Sequence, residues 1–354
     1  MGTIKCKSCG ATLKYEPGTT KLICEYCGAE NIIEEEKTGI NEYDFNEALN
    51  KESENKVTQD VRTVRCKGCG AIINLDDKTV SKKCPYCSTP LILEDSEVRN
   101  LIKPEAILPF KITQKQAIEK FRNWIKKLWF APNDLKKYYS TEKITGCYMP
   151  YWTFDSNTLT YYTGKRGEYY YTTETFTNSE GKTETRRVRN IRWYPVEGQL
   201  KYYFDDVPVC ATKSLPLLYI EKLEPWNFKD LKPFNTAYLQ GFESETYTVD
   251  VKEGFTRAKL RMDATIKDMV RQNIGGDEQR ISSLATQYNE IKHKLIFLPI
   301  WISAYRYNNK VYRFLVNGDT GEIQGERPYS FWKIFFTVLL VIAVIGAIIF
   351  FLNH

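Results

Sequence analysis

Ten cysteines occur in the chain, and eight of them fall into two sets with one spacing. Cys6, Cys9, Cys24 and Cys27 recur as Cys66, Cys69, Cys84 and Cys87, displaced by 60 residues. Two residues between paired cysteines close a tight turn that aims both thiolates at one ion. Two such turns supply the four ligands of a tetrahedral zinc site. Gly10, Gly28 and Gly70 directly follow three of the four pairs. That position often needs positive φ, which glycine adopts without a Cβ clash. Ser88 follows the fourth pair, a small departure. The flanks repeat as well: Ile4–Ala11 resembles Val64–Ala71, and the units end in the apolar runs Ile32-Ile33 and Leu91-Ile92-Leu93. The expectation is two zinc ribbons, each pairing two cysteine knuckles through short strands, with two Zn2+ per chain. Each ribbon is too small to bury a stable core, so the ion would supply much of its folding energy. Disulfides would suit a secreted domain, but Met1–Cys6 contains no apolar export segment. Iron in a rubredoxin-like site uses the same four thiolates, and spacing does not decide between the metals.

The other end of the chain carries a second strong signal. Ile334–Leu352 contains no charge and one mild polar residue, Thr337. At about 1.5 Å per helical residue the stretch reaches about 28 Å, close to the hydrocarbon thickness of a bilayer. Phe331 and Trp332 stand where aromatic rings favour the interface, and Arg327 and Lys333 lead into the span. A single membrane helix over 331–352 is predicted. The basic residues before it and the need for reduced thiolates both place the bulk of the chain in the cytoplasm.

Composition sets the remaining divisions. The formal net charge is +6 and the isoelectric point about 8.6, only mildly basic. Residues 34–61 hold nine acidic and three basic residues, whereas residues 62–93 hold six basic and two acidic. The predicted organisation is a ribbon over 1–35, an acidic linker over 36–61, a locally basic ribbon over 62–95, a domain over 100–328 and the membrane helix. The fold class is α+β. A short helix is expected around Tyr43–Asn50, with Phe45 and Leu49 four apart.

The middle region holds most of the 24 tyrosines and all but one of the seven tryptophans. Thr113–Gln116 reads as a capping box, followed at helical spacing by Ala117, Phe121, Trp124, Ile125 and Leu128. Its lysines fit a solvated side better than a membrane-lying helix. From Tyr148 to Pro195, aromatic residues alternate with threonines in a β pattern, broken by a turn at Asn178–Gly181. Arg186, Arg187, Arg189 and Arg192 follow that turn. Arginines mixed with aromatics can bind phosphates, nucleic acid or lipid headgroups, but a solvated strand face accounts for them more simply. Met262, Ile266, Met269, Val270 and Ile274 predict one helix. Ile281, Leu284, Ala285, Tyr288 and Ile291 predict a second after Gly275-Gly276. Strands are expected over Leu295–Tyr307 and Val311–Val316, with turns at Asn308-Asn309 and Asn317–Gly321, after which Glu322–Gly325 continues. Met149–Trp152 and Leu298–Trp301 echo each other weakly.

Catalytic constellations are sparse. The histidines are His293 and His354, far apart in the chain. No G-x-S-x-G elbow occurs, and Gly181-Lys182-Thr183 has Phe176 where a phosphate-binding loop needs its first glycine. The carboxylate neighbours Asp205-Asp206 and Glu243/Glu245 read as chance surface pairs. Cys147 and Cys210 lack partner cysteines at metal spacing and read as small buried apolar residues. No catalytic residue, small-molecule substrate or further cofactor is assigned, and the chain is expected not to be an enzyme.

The two cysteine repeats, the Leu298–Trp301 to Gly318–Gly321 stretch and the terminal anchor together resemble a bacterial family of membrane-anchored proteins with transcription-factor-IIB-type zinc ribbons. That family is often labelled primosomal protein N′ (replication factor Y), superfamily II helicase. The resemblance covers most of the chain, but the ATPase core of a helicase is missing, so that activity is not carried over. It further implies a place in bacterial envelope-stress assemblies. Two functions follow as expectations: a membrane-tethered adaptor that binds protein partners, or a nucleic-acid-binding protein held at the membrane by its anchor. Mild basicity and the acidic linker favour the adaptor.

Overall fold

A computed structural model describes residues 4–34, 39–50, 58–75, 79, 82–133, 135, 144–177, 179, 181–308 and 310–352. The acidic run Glu35-Glu36, parts of the turns at 178–181 and 308–309, and His354 lie outside the described residues.

Short strands build the N-terminal units. β1 (Lys14–Tyr15), β2 (Lys21–Ile23) and β3 (Glu30–Ile32) form an antiparallel sheet. Leu13, Tyr15 and Leu22 are buried against the rest of the chain rather than in a core of their own. The Tyr15 ring stands edge-on to Tyr238 at 5.1 Å, and its hydroxyl donates to the Phe110 carbonyl at 3.2 Å. Next come β4 (Tyr43–Asp44) and α1 (Phe45–Asn50), where the Asp44 carboxylate accepts from the Asn46 and Glu47 N–H groups. The second unit is β5 (Thr58–Arg65), β6 (Ile72–Asn74) and β7 (Glu97–Ile102), in the order β6-β5-β7.

The middle region follows with β8 (Ala106–Ile107), α2 (Gln114–Lys127), β9 (Thr145–Thr177) and β10 (Thr183–Cys210). Then come α3 (Leu217–Glu221), β11 (Lys232–Pro233), β12 (Glu243–Ser244), α4 (Val251–Ile274), β13 (Glu278–Tyr307), β14 (Lys310–Asn317), β15 (Ile323–Gly325) and α5 (Phe331–Leu352). The architecture is α+β, as expected. The capping box at Thr113 forms both of its reciprocal bonds, and Ala117, Phe121 and Ile125 face the core.

Three strands dominate. β9, β10 and β13 have 33, 28 and 30 residues. Ordinary strands run 3–10 residues. At about 3.3 Å per residue β9 spans on the order of 100 Å. The sheet order is β10-β9-β13-β14-β15. β13 pairs with β9 from Ile302↔Thr145 to Glu278↔Gly167, while β10 pairs with β9 out to Thr183↔Thr177. The sheet therefore has a broad body near Thr145, narrows to three strands, and ends beyond Gly167 as a two-stranded hairpin. Met149↔Leu298 lies within this register, so the two echoed segments are neighbours in the sheet.

α4 covers one side of that sheet. Val251, Gly254, Ala258, Met262, Ile266, Val270 and Ile274 recur every three or four residues and are buried. They meet Trp152, Phe154, Tyr162, Phe204 and Leu295. A Cβ on Gly254 would stand 3.0 Å from Trp152 Cδ1, so the small residue permits the close approach. Asp250 caps the start through the Glu253 N–H at 2.7 Å, and Gly275 ends the helix at φ 65°.

The helix predicted from Ile281 to Ile291 does not form; this segment is part of β13. Bulges between Ile281 and Ser283 and between Asn289 and Lys292 each insert unpaired residues. Positions 281, 284, 288 and 291 thereby acquire helix-like spacing along an extended chain. A third bulge separates Phe204 from Val207 in β10. Two of the three bulges sit at one level, flanking Phe154–Asn157 of β9, and each contains a residue at φ 50°, Asp206 and Glu290. Lys294 is buried there and pairs with Glu42 at 2.8 Å and Asp206 at 2.6 Å. Asp155 accepts from the Asp206 N–H at 2.6 Å.

α5 is 22 residues long and strongly apolar, and its apolar side chains are exposed among the described residues. It is long and apolar enough to cross a membrane. Its start is tied to the segment after α2: Lys333 Nζ donates to the Ala131 carbonyl at 2.8 Å and the Trp129 carbonyl at 3.1 Å, and the Ser330 N–H to the Phe130 carbonyl at 2.7 Å. Trp129, Tyr329, Phe331 and Trp332 are exposed together around this junction, the arrangement of an interfacial aromatic belt.

Candidate metal centres

Each cysteine pair sits in the same backbone turn. The N–H groups of Gly10, Gly28, Gly70 and Ser88 donate to the carbonyls of Cys6, Cys24, Cys66 and Cys84 at 2.8–2.9 Å. Their φ values are 73°, 73°, 80° and 59°. Ser88 therefore takes the left-handed conformation that its three counterparts reach as glycines. The N–H of each leading cysteine is held in turn by the carbonyl of Ala11, Ala29, Ala71 or Thr89.

These turns bring the thiols together. Cys6 Sγ lies 3.7 Å from Cys27 Sγ, and Cys9 Sγ 3.5 Å from Cys24 Sγ. In the second set, Cys66–Cys87 and Cys69–Cys84 are 3.5 and 3.6 Å apart. All ligand atoms in each set lie within 4.8 Å of one another. A tetrahedron with zinc–sulfur bonds of 2.3 Å has sulfur–sulfur edges of about 3.8 Å. The separations are far too long for disulfides, which need about 2.05 Å. Each set can hold one metal ion, and an all-thiolate tetrahedral donor set suits zinc. Proton affinity is split within each set: Cys9 is pushed up to about 12 and Cys84 is also raised by its neighbouring thiols, whereas the N–H groups of Cys9 and Ser8 draw the Cys6 thiol down to about 6. The hydrogen bond from Cys84 draws Cys69 down to about 5.

The two centres differ in how they meet the rest of the chain. Their second knuckles read Cys24-Glu25-Tyr26-Cys27 and Cys84-Pro85-Tyr86-Cys87. Tyr26 is 86 % exposed; Tyr86 is 0 % exposed. The Tyr86 hydroxyl donates to Glu245, which also accepts from Thr212 and Ser214. Burial pushes the Glu245 carboxyl up to about 7. The Arg313 guanidinium donates to the Tyr86 carbonyl at 3.1 Å. Glu245 is thus no chance surface carboxylate but the buried anchor of the second centre. Its partners lie 31 to 159 residues away in the chain, so no local pattern marks it. Glu243 pairs with Lys82 of the same unit. Ile73 and Glu245 are bridged, and Thr246 N–H donates to the Ile72 carbonyl at 2.9 Å, so β6 is stitched to the segment after β12.

The remaining sequence candidates lie outside both four-cysteine sets. Cys210 is buried, and burial pushes its thiol up to about 12. Cys147 is buried 3.7 Å from the Tyr86 hydroxyl, and its thiol too is shifted up by burial. His293 is buried within β13. Asp206 belongs to the Lys294 cluster.

The fold and these sites define a protein with two four-cysteine clusters, each able to hold a metal ion, and, among the described residues, one helix long and apolar enough to span a membrane. No family profile matches the chain. It is similar to a protein of Bacillus subtilis (strain 168), the uncharacterized protein YdjG, with 27 % identity over 336 residues, covering 93 % of this chain and 91 % of that one.

Proposed function

We propose that the chain is a membrane-tethered, cytoplasm-facing adaptor in which two zinc ions hold small ribbons against a long sheet that engages protein partners. One observation carries this reading. β14 and β15 put the start of α5 at the sheet end where β9 begins, and the hairpin turn after Thr177 lies on the order of 100 Å along the same strand. Such a sheet encloses little volume for its length and suits reach better than a closed active site. Zinc supports the reading as structure: both centres sit in turns, and Tyr86 plugs the second one into the core. Arg327 and Lys333 ahead of the helix support the cytoplasmic orientation. The adaptor is proposed to serve a bacterial envelope-stress assembly, as the family resemblance implies.

Photo-crosslinking in intact bacterial membranes tests the adaptor. A photoreactive residue replacing Tyr26, in the exposed knuckle, should give a discrete protein adduct. Only nucleic-acid adducts would favour a nucleic-acid tether instead. An absence of adducts from Tyr26 and from every position on the long sheet would sink the adaptor.

A further inference from the structure

We propose that the uncovered, odd-numbered face of the long β9–β10–β13 sheet is a docking surface for an acidic, extended segment of a partner protein; this rests on the adaptor reading and names the chemistry of its partner. Side chains at paired positions share a face. α4 covers the even-numbered face of β9 as far as Gly164, where an added Cβ would meet Ile274 Cδ1 at 2.8 Å. The opposite face is covered by none of the described residues from Asn157 outward. Tyr161, Tyr171 and Tyr203, all on that face by register, are each about half exposed.

Charge separates the two faces of the outer part. From Lys165 outward the odd face carries Lys165, Arg187, Arg189 and Arg280, against Glu278 alone. That carboxylate is occupied by the Tyr169 hydroxyl at 2.9 Å. The even face carries Arg166, Arg186 and Arg192 against Glu168, Glu174 and Glu184. Its charges pair internally, as in Arg186–Glu174 at 3.0 Å and Arg166–Glu168 at 3.1 Å. One face is thus neutralised within itself, and the other leaves its cations to be met from outside.

The odd face also has the composition of an interface. Arg187 lies over the Tyr171 ring at 3.9 Å, Arg189 over Tyr169 at 4.3 Å and Arg280 over Trp193 at 4.1 Å. Stacking fixes each guanidinium while leaving its donors to point outward, so little side-chain entropy is lost when a carboxylate binds. Tyrosine, tryptophan and arginine are the residues that dominate protein interfaces. A single-stranded nucleic acid would need these rings for base stacking, and each already holds a guanidinium on one side. A peptide has a further foothold. β10 ends the sheet order, so from Thr183 to Tyr194 its outer edge is paired with no strand among the described residues, and Pro195 follows in that edge strand. An extended chain can add there while its carboxylates meet the arginines.

The test uses the full chain in native membranes and in detergent. A photoreactive residue replaces Tyr161 or Tyr171 on the odd face, Tyr170 or Thr172 on the even face, and Tyr26 in the first knuckle. Among the four sites on β9, the proposal expects a protein adduct from the odd-face positions only. It expects at least a tenfold weaker adduct when Arg187→Gln and Arg189→Gln are introduced, with Arg186→Gln/Arg192→Gln near wild type. In detergent, a twelve-residue peptide alternating Glu and Val should bind with an affinity that falls with salt and drops about tenfold in Arg187→Gln/Arg189→Gln. An adduct from Tyr26 with none from the β9 sites would remove this inference and leave the adaptor standing; no adduct anywhere removes both. Tighter binding of an oligo-dT strand or of vesicles with 30 % anionic lipid than of the acidic peptide would overturn the partner class. Unchanged adducts together with self-association of Arg187→Gln/Arg189→Gln would show that the arginines only protect an open strand edge.

Discussion

Tyr26 and Tyr86 hold the same place in two copies of one repeat and face opposite environments. The difference sets the cost of altering them. Tyr86→Phe removes a donor from the fully buried Glu245, which should cost about 1–3 kcal/mol in chemical denaturation. Tyr26→Phe should stay within about 0.5 kcal/mol of wild type. Equal effects would mean that the second centre is not anchored through its knuckle. The ligand sets do not overlap, so Cys24→Ser should lower bound zinc from two equivalents to one in elemental analysis, and Cys84→Ser likewise. Two equivalents retained in either variant, or iron in place of zinc, would refute the assignment. At this scale the sequence was most legible where chemistry is local. Metal-ligand spacing and the positive-φ position after each pair are written in consecutive residues, and Ser88 obeys the geometry despite its type. What lay hidden was which knuckle is buried, because Glu245 reaches Tyr86, and Thr212 and Ser214 reach Glu245, only through tertiary contact.

Among the elements, the sheet at Asp155 carries a testable pH dependence. Burial pushes the Asp155 carboxyl up to about 7, outweighing the Asp206 N–H and Lys294, which pull it down; the neighbouring Glu42, paired to Lys294, moves the other way. An unfolded aspartate titrates near 3.9. Between those values the folded chain holds the extra proton, so the contribution of this group is fully present at low pH and is lost as pH rises through about 7. Glu245, raised to about 7 by burial, acts in the same direction. Calorimetry in detergent should give a higher Tm at pH 6 than at pH 8, and Asp155→Asn should shrink that difference without abolishing it. A Tm that rises from pH 6 to pH 8, or an unchanged slope in the variant, would contradict the assignment. The same strands explain why Ile281–Ile291, a segment of β13, carries helix-like spacing. Helix periodicity is a pattern of spacing, and a bulged strand imitates it: 281 to 284 and 288 to 291 are separated by three residues because each interval contains a bulge. α2, α4, β14 and the apolar α5 were legible because their periodicity runs unbroken and their ends carry caps or turns. No local signal announces a strand of 33 residues, since each short window of β9 looks like an ordinary strand.

For the whole molecule, the aromatic junction at Trp129, Phe331 and Trp332 and the tie from Lys333 to Ala131 fix where the chain would meet a bilayer. Thiol labelling in intact cells should leave a cysteine placed at Thr185, in the hairpin, unmodified by a membrane-impermeant reagent until the membrane is opened. Modification from outside would reverse the orientation. The proposal contains no catalytic step, so the full chain in detergent should turn over ATP no faster than its Lys182→Ala variant, with or without DNA. Activity lost with that lysine would restore a nucleotide-driven function. The paired bulges bear on a different property, mechanical gain. About twenty residues separate Asn157 from Thr177, roughly 66 Å of strand. With both flanking strands interrupted at one level, a rotation of only about 5° at that pivot would sweep the hairpin turn through about 6 Å. In such a rotation the charge cluster around Lys294 would be the fulcrum, with the apolar helix on the short arm and the cationic face on the long one.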